Sequence, residues 1–301
     1  MPHIKANGLD LFYDEHGAAD APPMLLVMGL GAQMTLWPIE FVEALAMRGF
    51  RVIRFDNRDI GLSQKMEEAK TPSILRMLVS DLTGLPLKTP YTLTDMADDT
   101  AGVIDTLGLS NVHLVGASMG GMISQLVAHR HGDKLASLTS IMSSSGHRKL
   151  PRAERDAMRV MVKRPKSQEE ADLIEHGMRI ARTIGSPAFP AEEERLRERI
   201  TMNVRRSAYP AGYLRQLAAI MADGDRRERL QQITLPTLVL HGEDDPLVPA
   251  EHGKDTVAHI PGAQIKTYPG MGHDLPQELV DTMADAIAEH AYRAEGSREA
   301  A

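Results

Sequence analysis

The sequence predicts an α/β fold: a mostly parallel central sheet covered by helices on both faces, interrupted by a helical insertion. Three observations lead there. Strand-like runs and helical patterns alternate along most of the chain. The alternation lapses once, between about Gly146 and Asp225. And one strand-to-helix junction, VHLVGASMGG at Val112–Gly121, carries a serine flanked by glycines.

In chain order, apolar and β-branched runs at Leu9–Tyr13, Met24–Met28 and Arg51–Asp56 predict the first strands, with a helix at Leu36–Met47 before the third. A second helix is predicted at Asp95–Leu107, with Thr94 as its N-cap and Asp95 and Asp98 near its positive end. The unassigned residues 64–91 are expected to border the ligand-bearing edge of the sheet. Val112–Ala117 reads as a strand, Met119–His131 as a helix and Leu135–Met142 as a strand. Three stretches dense in Arg, Glu, Met and Leu then carry no strand signal, broken at Pro165, Gly185–Pro190 and Pro210–Gly212. The pattern resumes with a strand at Thr237–Gly242, a helix at Ala250–His259, a strand at Gln264–Tyr268 and a helix at Gln277–Tyr292. This divides the chain into a core, residues 1–145 and 226–301, and a helical cap, residues 146–225. The cap would lie over the C-terminal edge of the strands, where open α/β sheets bind ligands.

The junction at Gly116, Ser118 and Gly120 has the layout that stands a nucleophilic serine on a sharp turn: the glycines let strand and helix approach where a Cβ would collide. Five letters alone would arise by chance in roughly one chain in ten of this length, so the context must carry the reading. A serine hydroxyl is a poor nucleophile at neutral pH and needs an imidazole base, itself oriented by a carboxylate. HGEDDPLVP at His241–Pro249 supplies Asp244 and Asp245 just beyond one strand. PGMGHDLP at Pro269–Pro276 supplies His273 beyond the next.

Serine, acid and histidine in that order, each after a strand, make the chain similar to the α/β-hydrolase superfamily. The resemblance covers nearly everything outside the insertion, and LVMGLG, FDNRD and MGHDLP narrow it to capped bacterial esterases and polyketide methylesterases. It implies an α/β-hydrolase fold and a catalytic triad of Ser118, His273 and Asp245, the acid being the one before the turn proline, with Asp244 as the alternative. It also implies an oxyanion hole from the backbone N–H groups of Met119 and of Leu30 in MGLGAQ (Met28–Gln33), with Met28 where the family often has His. DNRDIGLS at Asp56–Ser63 resembles a family loop in which Gly is common at the place of Asp59; Asp56 and Arg58 are expected to brace loops. Gly29, Trp37, Met158 and Met161 are candidates for the substrate pocket. The implied activity is a carboxylesterase acting on small to medium, largely apolar esters; lactonase, carbon–carbon bond hydrolase and perhydrolase chemistry use the same triad, and a non-catalytic ligand-binding protein is the alternative from another class.

Composition sets the exclusions. A formal charge of −7 over 301 residues offers no general attraction to nucleic acid or to an anionic membrane. Zero cysteines exclude disulfides, thiolate metal sites and a cysteine nucleophile. No leader-like start and no apolar run of about 18 residues is seen, so a cytoplasmic protein is expected. HExxH, GxGxxG and P-loop motifs are absent from the sequence, so neither metal nor cofactor is expected. The basic run from His147 to Lys166 is read as the solvated face of a helix, with Met158, Val160, Met161 and Val162 turned partly inward.

Overall fold

The computed structural model describes residues 2–299. Eight strands form one sheet: β1 (His3–Ala6), β2 (Leu9–His16), β3 (Pro23–Val27), β4 (Arg51–Phe55), β5 (Val112–Ala117), β6 (Leu135–Ile141), β7 (Thr237–Gly242) and β8 (Gln264–Tyr268). Their order is β1-β2-β4-β3-β5-β6-β7-β8. β1 and β2 run antiparallel at one edge, and every pairing from β4 to β8 is parallel. β1 is absent from the sequence reading: four residues with one buried side chain leave too short a pattern to recognise.

Along each buried strand, successive side chains go to opposite faces. Leu25 and Val27 of β3 enter one core with Met96, Val103 and Ile104 of α3 (Leu93–Thr106) and Ile123 and Leu126 of α4 (Met119–Arg130). Met24 and Leu26 enter the other, with Phe41 and Leu45 of α1 (Ile39–Met47) and Met283 and Ile287 of α11 (Val280–Glu299). The two cores require the central strands to be apolar on both sides, which is why those strands read as continuous apolar runs.

The N-cap of α3 is Thr92, not Thr94. Thr92 Oγ1 accepts the Asp95 amide at 3.1 Å, and Asp95 Oδ2 accepts the Thr92 amide at 2.7 Å, a reciprocal box that starts the helix at Leu93 rather than Asp95. Within residues 64–91 lies α2 (Ile74–Thr83), ended by Gly84 at φ 74°. Between β6 and β7 come four long helices rather than three: α5 (Arg155–Val162), α6 (Glu170–Ile184), α7 (Glu193–Arg206) and α8 (Pro210–Asp223), followed by the single turn α9 (Arg227–Leu230). α6 and α7 share a small core of Ile174, Met178, Leu196 and Ile200. α10 (Glu251–His259) joins β7 to β8. Among the described residues no helix is long and apolar enough to cross a membrane.

Candidate active site

β5 ends at Ala117 and α4 begins at Met119, so Ser118 alone makes the turn, at φ 55° and ψ −120°. That is a strained conformation for any residue with a Cβ. It survives because the neighbours allow no other path. A Cβ at Gly116 would run into Gly120 O and Ser124 Oγ, and one at Gly120 into Val27 O. The Ser118 amide donates to Ile141 O at 2.9 Å, and Ser143 Oγ donates to Ser118 O at 2.7 Å. Serine is a favoured helix N-cap, yet this hydroxyl does not cap α4. It lies 3.0 Å from His273 Nε2 instead.

His273 stands in the loop after β8, and its Nδ1 lies 2.7 Å from Asp245 Oδ2. A carboxylate only accepts, so the proton sits on Nδ1 and the Nε2 lone pair faces the serine. The other Asp245 oxygen accepts the amides of Leu247 and Val248 at 2.9 and 2.8 Å. Asp244, the alternative acid, points elsewhere: its Oδ2 accepts the Gly270 amide at 2.7 Å and so ties the two loops together. His241, wholly buried beside Asp245, donates from Nε2 to Val248 O at 2.7 Å, and burial lowers its pKa by disfavouring the charged ring.

The Met28–Gln33 loop passes directly over the serine: a Cβ on Gly29 would lie 3.1 Å from Ser118 Cβ. The amide of Gly31 donates to Gln216 Oε1 at 2.9 Å and that of Ala32 to Gly29 O at 3.3 Å. Leu30 lies between the engaged residue Gly31 and Gly29, and Met119 is the first residue of α4, where backbone N–H groups lack intrahelical acceptors. Met28 contributes its carbonyl, which accepts Asn57 Nδ2 at 2.9 Å, so the side chain that replaces the family's frequent His is not needed for this anchor.

Ser118, Gly29, Leu30, Asp245 and His273 line one cavity of about 1970 Å³, together with Met158 and Met161 and, from α2, Ile74 and Met77. Trp37 does not line it. The turn at Met34–Leu36 and Pro38 direct its ring into the core, fully buried and stacked on Phe41 at 5.6 Å, so its assignment to the pocket is corrected. The inward turn of the α5 apolar residues is also only partial: Val160 is buried, whereas Met158 and Val162 are exposed. Several cations of the basic run, among them Lys163, Arg164 and Lys166, lie along the cavity as well as facing solvent.

Asp56 and Arg58 act as braces. Asp56 accepts the amides of Met34 and Leu62, both at 2.8 Å, and Arg58 grips Asp99 with two bonds of 2.5 and 2.6 Å. Asp59 adds a brace that the sequence did not reveal. It adopts φ 72°, is fully buried, and binds Arg215 of α8 through both oxygens at 2.7 and 2.8 Å. Burial alone would raise its pKa, but Arg215, the Met66 amide and the Tyr91 hydroxyl outweigh burial and hold the carboxyl below its usual range. The insertion also supports the histidine loop: His273 N donates to Ile184 O at 2.7 Å and Gly272 N to Ser186 Oγ at 2.9 Å. These partners are nearly 90 residues from the loop, and no local pattern marks them.

Comparison with known proteins agrees with this architecture. A family profile described as alpha/beta hydrolase fold matches residues 22–277. Rhodomycin D methylesterase DauP of Streptomyces sp. strain C5 is 27% identical over 292 residues, covering 90% of this chain and 91% of the relative. The bifunctional esterase/perhydrolase DCH of Acinetobacter calcoaceticus is 25% identical, covering 92% and 94%. Among solved structures, a thermophilic esterase from Thermogutta terrifontis superposes with a TM-score of 0.70 at 26% identity, over 98% of this chain and 99% of its own. With the profile spanning most of the sequence, the chain belongs to the alpha/beta hydrolase fold family.

Proposed function

We propose that this protein is a serine hydrolase that cleaves carboxylic esters of small molecules through an acyl-enzyme. The observation that carries the reading is the continuous chain from Ser118 Oγ to His273 Nε2 at 3.0 Å and from His273 Nδ1 to Asp245 Oδ2 at 2.7 Å. The relatives named as methylesterase and esterase support the bond type.

In this mechanism Ser118 attacks the acyl carbon while His273 takes its proton, and Asp245 stabilises the imidazolium without itself accepting the proton. The oxygen that becomes negative is received by the Leu30 and Met119 amides, with Gly29 leaving room for it beside the serine. His273 then protonates the departing alkoxide. In the second half it takes a proton from water, the hydroxide attacks the acyl carbon, and Ser118 recovers its proton as the acid leaves. No step calls on a metal or cofactor. Residues 146–225 serve as a cap over the strand ends, and Met158 and Met161 give the pocket an adaptable apolar wall.

Ser118→Ala is expected to lower kcat on 4-nitrophenyl esters by about 10⁴-fold or more while the protein stays folded. A fluorophosphonate probe should label the unaltered protein at Ser118. Unlabelled protein, or an alanine variant with undiminished turnover, overturns the reading.

A further inference from the structure

The inner side of α7 carries a cation, Arg199, for which the described residues supply no direct ion pair. Residues 196, 199, 200 and 203 are three and four apart and so share one face of that helix. All four line the cavity that holds Ser118 and His273. Leu196 and Ile200 make this face apolar, and Arg199 lies between them. Its Nε is buried and has no hydrogen-bond partner among the described residues.

The charges around it are committed to other groups. Arg195 pairs with Glu40, Arg197 with Glu175 at 2.7 Å, and Arg206 with Asp56 at 2.7 Å. Asp274 accepts a hydrogen bond from Ser186 Oγ. Burial lowers the Arg199 pKa, outweighing the fields of Asp274 and Glu40. Arg199 and His273 line the same cavity, and Asp274, next to His273 in sequence, is the acid whose field acts most on Arg199.

A desolvated guanidinium without a counter-ion destabilises the fold that holds it. Its planar donor fork matches a carboxylate, which would supply both the charge and the acceptors. Lys163, Arg164 and Lys166 line the same cavity from the insertion, so cations stand along its wall although Glu154, Glu193 and Glu251 line it too.

Resting on the ester-hydrolase reading above, we infer that Arg199 is a specificity-determining residue that binds a carboxylate carried by the ester substrate. The substrate is thus an ester with an apolar body and one free acid group.

Two matched pairs test this. 4-Nitrophenyl pentanoate and mono-4-nitrophenyl glutarate differ in exchanging a methyl for a carboxylate at the acyl end; 4-methylphenyl acetate and 4-acetoxybenzoate make the same exchange in the alcohol half. In at least one pair, Arg199→Met is expected to lower kcat/KM for the carboxylate member by about 10- to 100-fold while leaving its neutral partner within about 3-fold. Arg199→Lys should recover part of the loss, because charge remains but the fork does not. Equal losses on both members of both pairs, or no loss on either, overturn the inference. Calorimetric binding of the same pairs to Ser118→Ala protein separates this result from failure of the ester reading. A carboxylate preference there that vanishes on adding Arg199→Met supports the arginine's role even in the absence of turnover; equal binding of both members overturns it.

Discussion

Asp245 and Asp244 are adjacent in sequence, yet only one of them faces the imidazole. Asp245→Asn would present an amide to His273 Nδ1 and favour the wrong tautomer, so kcat on nitrophenyl esters should fall by about 10⁴-fold. Asp244→Asn should leave kcat nearly unchanged, since its carboxylate accepts only the Gly270 amide at this junction; a large loss there would reverse the assignment. Ser118 makes a different prediction, about stability. Its φ of 55° is tolerated more easily by glycine, so Ser118→Gly should resist urea better than Ser118→Ala by about 1 kcal/mol, although both lose turnover. Ser118, Asp245 and His273 were legible as candidates because each stands in a turn whose glycines and prolines are local in sequence. Trp37 was misread, since nothing beside a lone tryptophan says whether it faces pocket or core. Asp59 was unreadable for another reason: its partner Arg215 is 156 residues away, and neither residue signals the other.

Among the helices of the insertion, α8 is tied to the sheet side through two buried side chains, Arg215 and Gln216. Arg215 grips Asp59, and Gln216 Nε2 donates to Arg58 O at 2.9 Å while its Oε1 accepts the Gly31 amide. One turn of helix thus holds both the brace loop and the loop that crosses the serine. Arg215→Met would leave the Asp59 carboxylate buried without its cation, a loss of about 3 kcal/mol that urea denaturation would register. An unchanged midpoint would mean that Tyr91 and the Met66 amide suffice. The long helices and the buried parallel strands were visible in the sequence because their apolar periodicity runs over many residues. α2 and β1 were not, being short and partly exposed, and the start of α3 was misplaced because Thr92 and Thr94 both satisfy the local rule until the Asp95 carboxylate selects one.

For the whole molecule, histidines withdrawn from water contribute to the loss of stability in acid. His290 is only 5% exposed, and burial lowers its pKa from 6.5 to about 4. Between those values the unfolded chain binds a proton that the folded one refuses, so stability falls as pH drops through that window, by up to about 1.4 kcal/mol per pH unit. His129, His176 and His241 shift in the same direction. His290→Gln should flatten the decline measured by urea denaturation between pH 6.5 and 4; an unaltered slope would assign it to the other histidines. The attachment of α8 has one more consequence, for how such a chain diversifies. α7 is also fastened, through Asn203 and Ser207 to Gln33 and through Asn203 to Thr35, so the inner half of the insertion is tied to the loop that crosses Ser118. The exchangeable module is therefore the outermost helix, Arg155–Val162, because Ile184 at the end of α6 holds the His273 amide: a graft cut there could import a new pocket wall from a relative, whereas transplanting all four helices would carry away the struts of the loops around Ser118.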